Sequence, residues 1–216
     1  MNRRGWLAGL LTLAAAPALA ADPAPAAKTV EVGKVFPYLD RYLRLPAAER
    51  DRFVMAYYLT RDGKPAAGAQ GWIDDGGRRV RIPFGANGRA ERLPTLEQLQ
   101  AKRRLGFDGA AGAKFGMSLS LEPAAQPAAE LSATELAASV AQATRALKKA
   151  AGLMRMAVPT FDAVAFPGGQ GGEVVFADGR AAALPIEKGV PVFKPAAHPG
   201  ARTIRFRTPP RQLRLA

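Results

Sequence analysis

The spacing of hydrophobic positions changes along the chain, and each change marks an element. Phe36, Leu39, Tyr42, Leu43 and Leu45 recur at mostly three- and four-residue steps, which predicts a short amphipathic helix stopped by Pro46. Phe53–Leu59, "FVMAYYL", is aromatic and bounded by charges, so it reads as a buried strand. Arg61-Asp62-Gly63-Lys64-Pro65 is turn chemistry. A further strand is expected near Ala69–Ile73, turning at Asp74-Asp75-Gly76-Gly77.

Val80, Ile82 and Phe84 then alternate with Arg79, Arg81 and Pro83, the two-residue period of a half-buried strand. The stretch that follows, "ANGRAERLP" at Ala86–Pro94, returns as "ADGRAAALP" at Ala177–Pro185, ninety-one residues later. Asn87-Gly88 and Asp178-Gly179 each suit a type I′ hairpin turn, with Arg89–Leu93 and Arg180–Leu184 as return strands. Gly112-Ala113-Lys114 precedes "FGMSLSLEP", and Gly200-Ala201-Arg202 precedes "TIRFRTPP". The chain thus predicts a hairpin module written twice.

Between the copies, Glu122–Glu130 is a Pro/Ala connection. Ser132-x-x-Glu135 forms a capping box. Leu136, Val140, Ala143, Leu147, Ala150 and Met154 follow on one helix face, with Arg145, Lys148 and Lys149 toward the C-terminal end of the dipole and Gly152 as the stop. One apolar stripe must pack on something, and the repeat sheets are the simplest partner. The expected fold is β-rich (mainly β or α+β) and sandwich-like. It carries a duplicated antiparallel hairpin module, a short N-terminal helix and one longer helix between the copies.

The N-terminus adds a compartment. Met1-Asn2-Arg3-Arg4 is a positive n-region, Gly5–Ala16 an apolar h-region, and Ala18-Leu19-Ala20 a small-x-small cleavage site. This predicts a signal peptide over 1–20, cleaved after Ala20, and a periplasmic mature chain with no membrane-spanning segment. A Pro/Ala leader over 21–33 follows. Residues 34–123 form the first β-rich module, 124–155 the linker and helix, and 156–216 the second module. The last piece is too small to bury an adequate core by itself, so it is expected to pack on the first.

Charge and chemistry narrow the function. The chain carries 31 Lys+Arg against 18 Asp+Glu, a net +13, with no Cys. Removing residues 1–20 removes two arginines, leaving 29 − 18 = +11. Such a balance attracts polyanions, although 22 Arg against 9 Lys and abundant Ala also fit a GC-rich genome. His198 is the one histidine, in the loop "PAAHPGA". With no Cys beside it, a His/Cys zinc site is not expected, and no G-x-S-x-G nucleophile elbow occurs. Asp74-Asp75 reads as a turn, not a carboxylate pair, because neighbouring strand residues face opposite ways. Pro167–Glu173, "PGGQGGE", lacks the phosphate-loop pattern and reads as a mobile surface loop. No cofactor or metal is expected.

Near the C-terminus Ile204 and Phe206 alternate with Arg205 and Arg207, and Arg211 and Arg214 extend the basic character. These four arginines are the candidate site for an anionic partner, such as lipopolysaccharide or a phospholipid surface, and Arg78, Arg79 and Arg81 could enlarge it. Aromatics are sparse among them, so recognition of nucleic acid by base stacking is not expected.

The stretches "YLDRYLRL", "FVMAYYL", "DGKP", "VRIPFGANGRAERLP" and "KFGMSLSLEP" resemble a family of exported proteobacterial proteins known as a domain of unknown function. The resemblance covers about Tyr38–Pro123. It implies export and a β-rich fold, and it implies no catalytic residues. Sequence therefore points to a non-enzymatic periplasmic protein that binds or scaffolds an envelope component. The alternatives are an envelope-glycan hydrolase or transferase using carboxylates, and a subunit of an exported complex.

Overall fold

The computed structural model describes residues 29–107, 113–151 and 160–216; the expected signal peptide, most of the expected leader, Gly112, Gly152 and Met154 lie outside them. The strands are β1 (Val30–Glu31), β2 (Phe53–Arg61), β3 (Lys64–Pro65), β4 (Gln70–Asp75), β5 (Arg78–Pro83), β6 (Arg104–Phe107), β7 (Phe115–Pro123) and β8 (Glu130–Ser132). They continue with β9 (Val164–Ala165), β10 (Glu173–Phe176), β11 (Ala181–Ala183), β12 (Ile186–Glu187), β13 (Val190–Phe193), β14 (Ala201–Arg205) and β15 (Arg214–Leu215). The helices are α1 (Val32–Val35), α2 (Leu39–Arg44), α3 (Leu96–Gln100) and α4 (Ala133–Ala151).

These strands form four antiparallel sheets with orders β1-β6-β4-β5, β3-β2-β7, β11-β10-β14-β8 and β12-β13-β9-β15. The fold is β-rich and sandwich-like, as the alternation predicts. One continuous core draws on both halves of the chain, from Val32 and Phe53 to Ile204 and Leu215.

Of the N-terminal helix expected over Phe36–Leu45 only Leu39–Arg44 is helical, and a separate turn of helix, α1, precedes the expected range. Pro37 has no N–H to continue the ladder, and Tyr38 takes a left-handed backbone, φ 66°, before α2 restarts at Leu39. The Tyr57 hydroxyl donates to the freed Pro37 carbonyl at 2.6 Å. Its ring meets Phe36 edge-on at 5.0 Å. β2 carries Phe53, Met55, Tyr57 and Leu59 on one buried face and pairs with β7 over nine consecutive residues.

The repeated stretch folds into the same turn twice. Gly85 N–H donates to the Arg89 carbonyl at 2.8 Å, and Gly88 N–H to the Gly85 carbonyl at 2.8 Å. Ninety-one residues on, Phe176 N–H donates to Arg180 at 2.9 Å and Gly179 N–H to Phe176 at 3.1 Å. Asn87 Oδ1 and Asp178 Oδ1 accept from the Arg89 and Arg180 amides at 3.0 and 3.1 Å. The turn is not the expected type I′, which needs two left-handed residues. Only Gly88 (φ 78°) and Gly179 (φ 82°) are left-handed, giving a three-residue loop closed by a glycine bulge. The strand neighbours differ. β10 pairs with β11 and β14, whereas the return after Gly88 leans on β2, where Ala90 N–H donates to the Tyr57 carbonyl at 2.8 Å.

Helix α4 starts where the capping box predicts, with Glu135 N–H donating to Ser132 Oγ at 3.2 Å. Leu136, Val140 and Ala143 are buried, and the helix packs on β14, β2, β7 and β8, touching both modules. Buried Gln142 secures it. Gln142 Nε2 donates to the Ala48 carbonyl at 3.0 Å and to Asp51 Oδ1 at 2.6 Å, while its Oε1 accepts from Arg52 N–H at 2.8 Å.

Candidate functional site

α2, the β2–β7 pair, α4 and β15 leave a groove of about 670 Å³ between them. Phe53, Met55 and Leu121 form its buried floor. α2 and the residues flanking it contribute Tyr38, Arg41, Tyr42 and Leu45, and α4 contributes Ala146, Leu147 and Ala150. Phe161, Arg214 and Leu215 close the remaining side. Tyr38 is 62 % exposed and Leu119 37 %, both at this groove, so large apolar side chains face solvent where the walls part.

The electrostatics are one-sided. The lining holds Arg41 and Arg214 and no acidic residue, and neither arginine forms an ion pair among the described residues. The Tyr42 hydroxyl is already engaged, donating to the Phe53 carbonyl at 3.0 Å. Burial pushes its pKa up, opposed by the Arg50 guanidinium over its ring. It therefore supplies a neutral aromatic wall.

On β7 itself sits the one buried carboxylate of the described residues. Glu122 Oε1 accepts from Tyr58 and, at 2.7 Å, from Gln212 Nε2, and its Oε2 meets Arg89 Nη2 at 3.2 Å. Burial, then Glu122, push the Tyr58 pKa up. Both Glu122 oxygens, the Tyr58 hydroxyl and Gln212 Nε2 have partners, so the cluster acts as a fastening between Gln212 and β7. Because Gln212 lies two residues before Arg214, the fastening also fixes the β15 side of the groove.

The four arginines selected from sequence do not lie on one strand surface. Arg205 stands between Glu130 and Glu173 in register, 2.8 and 3.7 Å from their oxygens, and so fastens β14 to its neighbours with its charge offset. Arg207 and Arg211 lie against the glycine-rich stretch, near Gly171 and Gly168. That stretch is tied down by Gln170 N–H to Thr208 at 3.1 Å, Arg207 N–H to Gln170 at 3.0 Å and Arg211 N–H to Pro167 at 2.8 Å. Arg214 alone reaches the groove. In the first module, Arg79 covers the Trp72 ring at 4.2 Å and pairs in register with Asp74, which interleaves the charges there.

The other candidates fall as their spacing implies. Asp74 accepts from Gly77 N–H at 3.2 Å, whereas Asp75 accepts from Gln98 Nε2 at 2.9 Å and meets Arg103 at 3.0 Å. His198 Nδ1 lies 3.0 Å from the Lys194 carbonyl, its ring beside Phe193. Among the described residues no three His, Cys, Asp or Glu side chains gather to hold a metal, and no helix is long and apolar enough to cross a membrane.

Sequence reasoning missed Arg41 and the groove. Arg41 shares a short helix with Arg44, and only Arg44 has an acidic partner, Asp40 at 4.0 Å. No family model, curated protein or solved structure matches this chain.

Proposed function

We propose that this chain is an exported, non-enzymatic binding protein of the bacterial envelope, and that it recognises an anionic, amphiphilic component at the groove. One observation supports the reading most: an apolar cleft of about 670 Å³ whose described lining carries two arginines and no acid. Its volume lies in the roughly 300–1,000 Å³ range of ligand sites. Apolar walls favour a hydrocarbon part through removal of surface from water. Arginines whose charge is not offset favour an anionic part such as a phosphate or carboxylate. The signal peptide and the resemblance of Tyr38–Pro123 to an exported family support the compartment. The glycan-hydrolase alternative needs two converging carboxylates and draws no support from a lining of this composition.

The test is partition of the mature chain between buffer and phosphatidylglycerol vesicles, phosphatidylcholine vesicles or lipopolysaccharide at low salt. The reading expects association with the two anionic surfaces and little with phosphatidylcholine. Indifference to all three contradicts it.

A further inference from the structure

We infer that the groove holds a single-chain anionic lipid as a monomer, its tail along the apolar floor and its head group between Arg41 and Arg214. This rests on the binding reading above and deepens it, from adhesion to an anionic surface to enclosure of one lipid molecule.

Two observations favour enclosure over adhesion. Arg41 and Arg214, two of the arginines that form no ion pair among the described residues, stand at a cleft with a buried floor of Phe53, Met55 and Leu121, not on a flat face. Of the exposed large apolar side chains Val30, Tyr38, Leu119 and Ile186, two, Tyr38 and Leu119, are at the groove, where a tail would cover them. The volume suits one drug-sized ligand.

An extended peptide fits less well. β15 lies within 8 Å of β7, Cα to Cα, and inserting a strand between them needs about two spacings of 4.8 Å. A peptide therefore cannot add to β7 along that stretch without displacing β15 and the Gln212–Glu122 fastening.

The probe is palmitoyl-lysophosphatidylglycerol, kept below its micelle concentration and titrated calorimetrically into the mature chain. The expected result is saturable one-to-one binding. Arg41→Gln with Arg214→Gln should weaken it at least tenfold, while Arg145→Gln with Arg180→Gln leaves it unchanged. Circular dichroism and thermal melts check that both double variants fold. Leu119→Glu, a single change at the exposed rim, provides an independent loss of binding. Association with phosphatidylglycerol vesicles but not with the monomer overturns this inference and leaves the general binding reading standing. No association with either overturns both. Equal affinity for uncharged monopalmitoylglycerol, or equal loss in the two double variants, overturns the role given to the arginines.

Discussion

Gln212 donates through Nε2 to Glu122 Oε1 at 2.7 Å, joining residues ninety positions apart. The same nitrogen lies 2.8 Å from the Tyr58 hydroxyl. A neutral amide thus completes the coordination of a buried carboxylate that Arg89 only partly offsets. The contact fixes the C-terminal strand against β7 and, with it, the arginine side of the groove.

Gln212→Ala should therefore cost about 1.5–3 kcal/mol, the range for hydrogen bonds to charged groups, read from the urea midpoint with m unchanged. The same variant should lose affinity for the groove ligand, because Arg214 is no longer held in place. A variant as stable as the parent would show that the fastening contributes nothing.

The two copies of the turn should respond differently to the same change. Gly88 and Gly179 are both left-handed, so alanine is strained at each, by about 1–2 kcal/mol. At Gly88 the new Cβ would also stand 2.3 Å from the Leu59 carbonyl oxygen, whereas at Gly179 nothing lies within 4 Å. Gly88→Ala should consequently be the more destabilising by a clear margin in chemical denaturation. Equal losses would contradict the packing of the first turn on β2.

Gln142 makes three hydrogen bonds that tie α4 to the start of β2. Gln142→Leu keeps the volume but strands Arg52 N–H, Ala48 C=O and Asp51. Because Ala48, Asp51 and Arg52 are exposed residues, a loss of about 0.5–1.5 kcal/mol is expected, the net worth of an intramolecular hydrogen bond, measured by thermal unfolding. A neutral or stabilising result would mean these groups reach water.

Tyrosine titration should reveal the fold at high pH. Burial is the main cause that raises the Tyr57 and Tyr58 pKa values above the ordinary 10.0, with Asp40 and Glu122 adding to it. The fold thus favours the neutral phenol. That stabilisation is fully present below pH 10 and is lost as pH rises toward the folded values. Absorbance at 295 nm should show delayed ionisation coupled to unfolding, and Tyr58→Phe should make the loss of stability above pH 10 less steep. Ordinary, simultaneous titration of all tyrosines in the folded protein would contradict this.

Much of the framework was legible from period and turn chemistry. β2, the β4–β5 hairpin, α4 with its Ser132 cap, and the positions of both glycine turns, though not their type, follow from local pattern. What local pattern could not show is which strands become neighbours. "FGMSLSLEP" alternates clearly, yet nothing in it selects β2 as a partner over the adjacent hairpin. Tyr38 was hidden for another reason: a left-handed tyrosine follows from the fold around it, not from its own preference. The groove was invisible because its walls come from six segments scattered along the chain, none of which marks a site by its own pattern. Arg214 was found as a member of a basic run. Arg41 was not, since only the folded chain shows that no carboxylate answers it.

That left-handed residue offers a test separating stability from binding. Tyr38 is mostly exposed, so Tyr38→Gly loses little buried surface and relieves the backbone, for a net change within about 1 kcal/mol. Affinity for lysophosphatidylglycerol should fall, because the ring at the groove rim is gone. Unchanged affinity would remove Tyr38 from the site.

The most direct measurement is a ¹⁵N chemical-shift titration of the mature chain with palmitoyl-lysophosphatidylglycerol. Saturating shifts should concentrate at Arg41, Leu119, Leu147 and Arg214, leaving Arg205, Arg207 and Arg211 still. Shifts centred on those last three arginines, with the groove unmoved, would contradict the central claim.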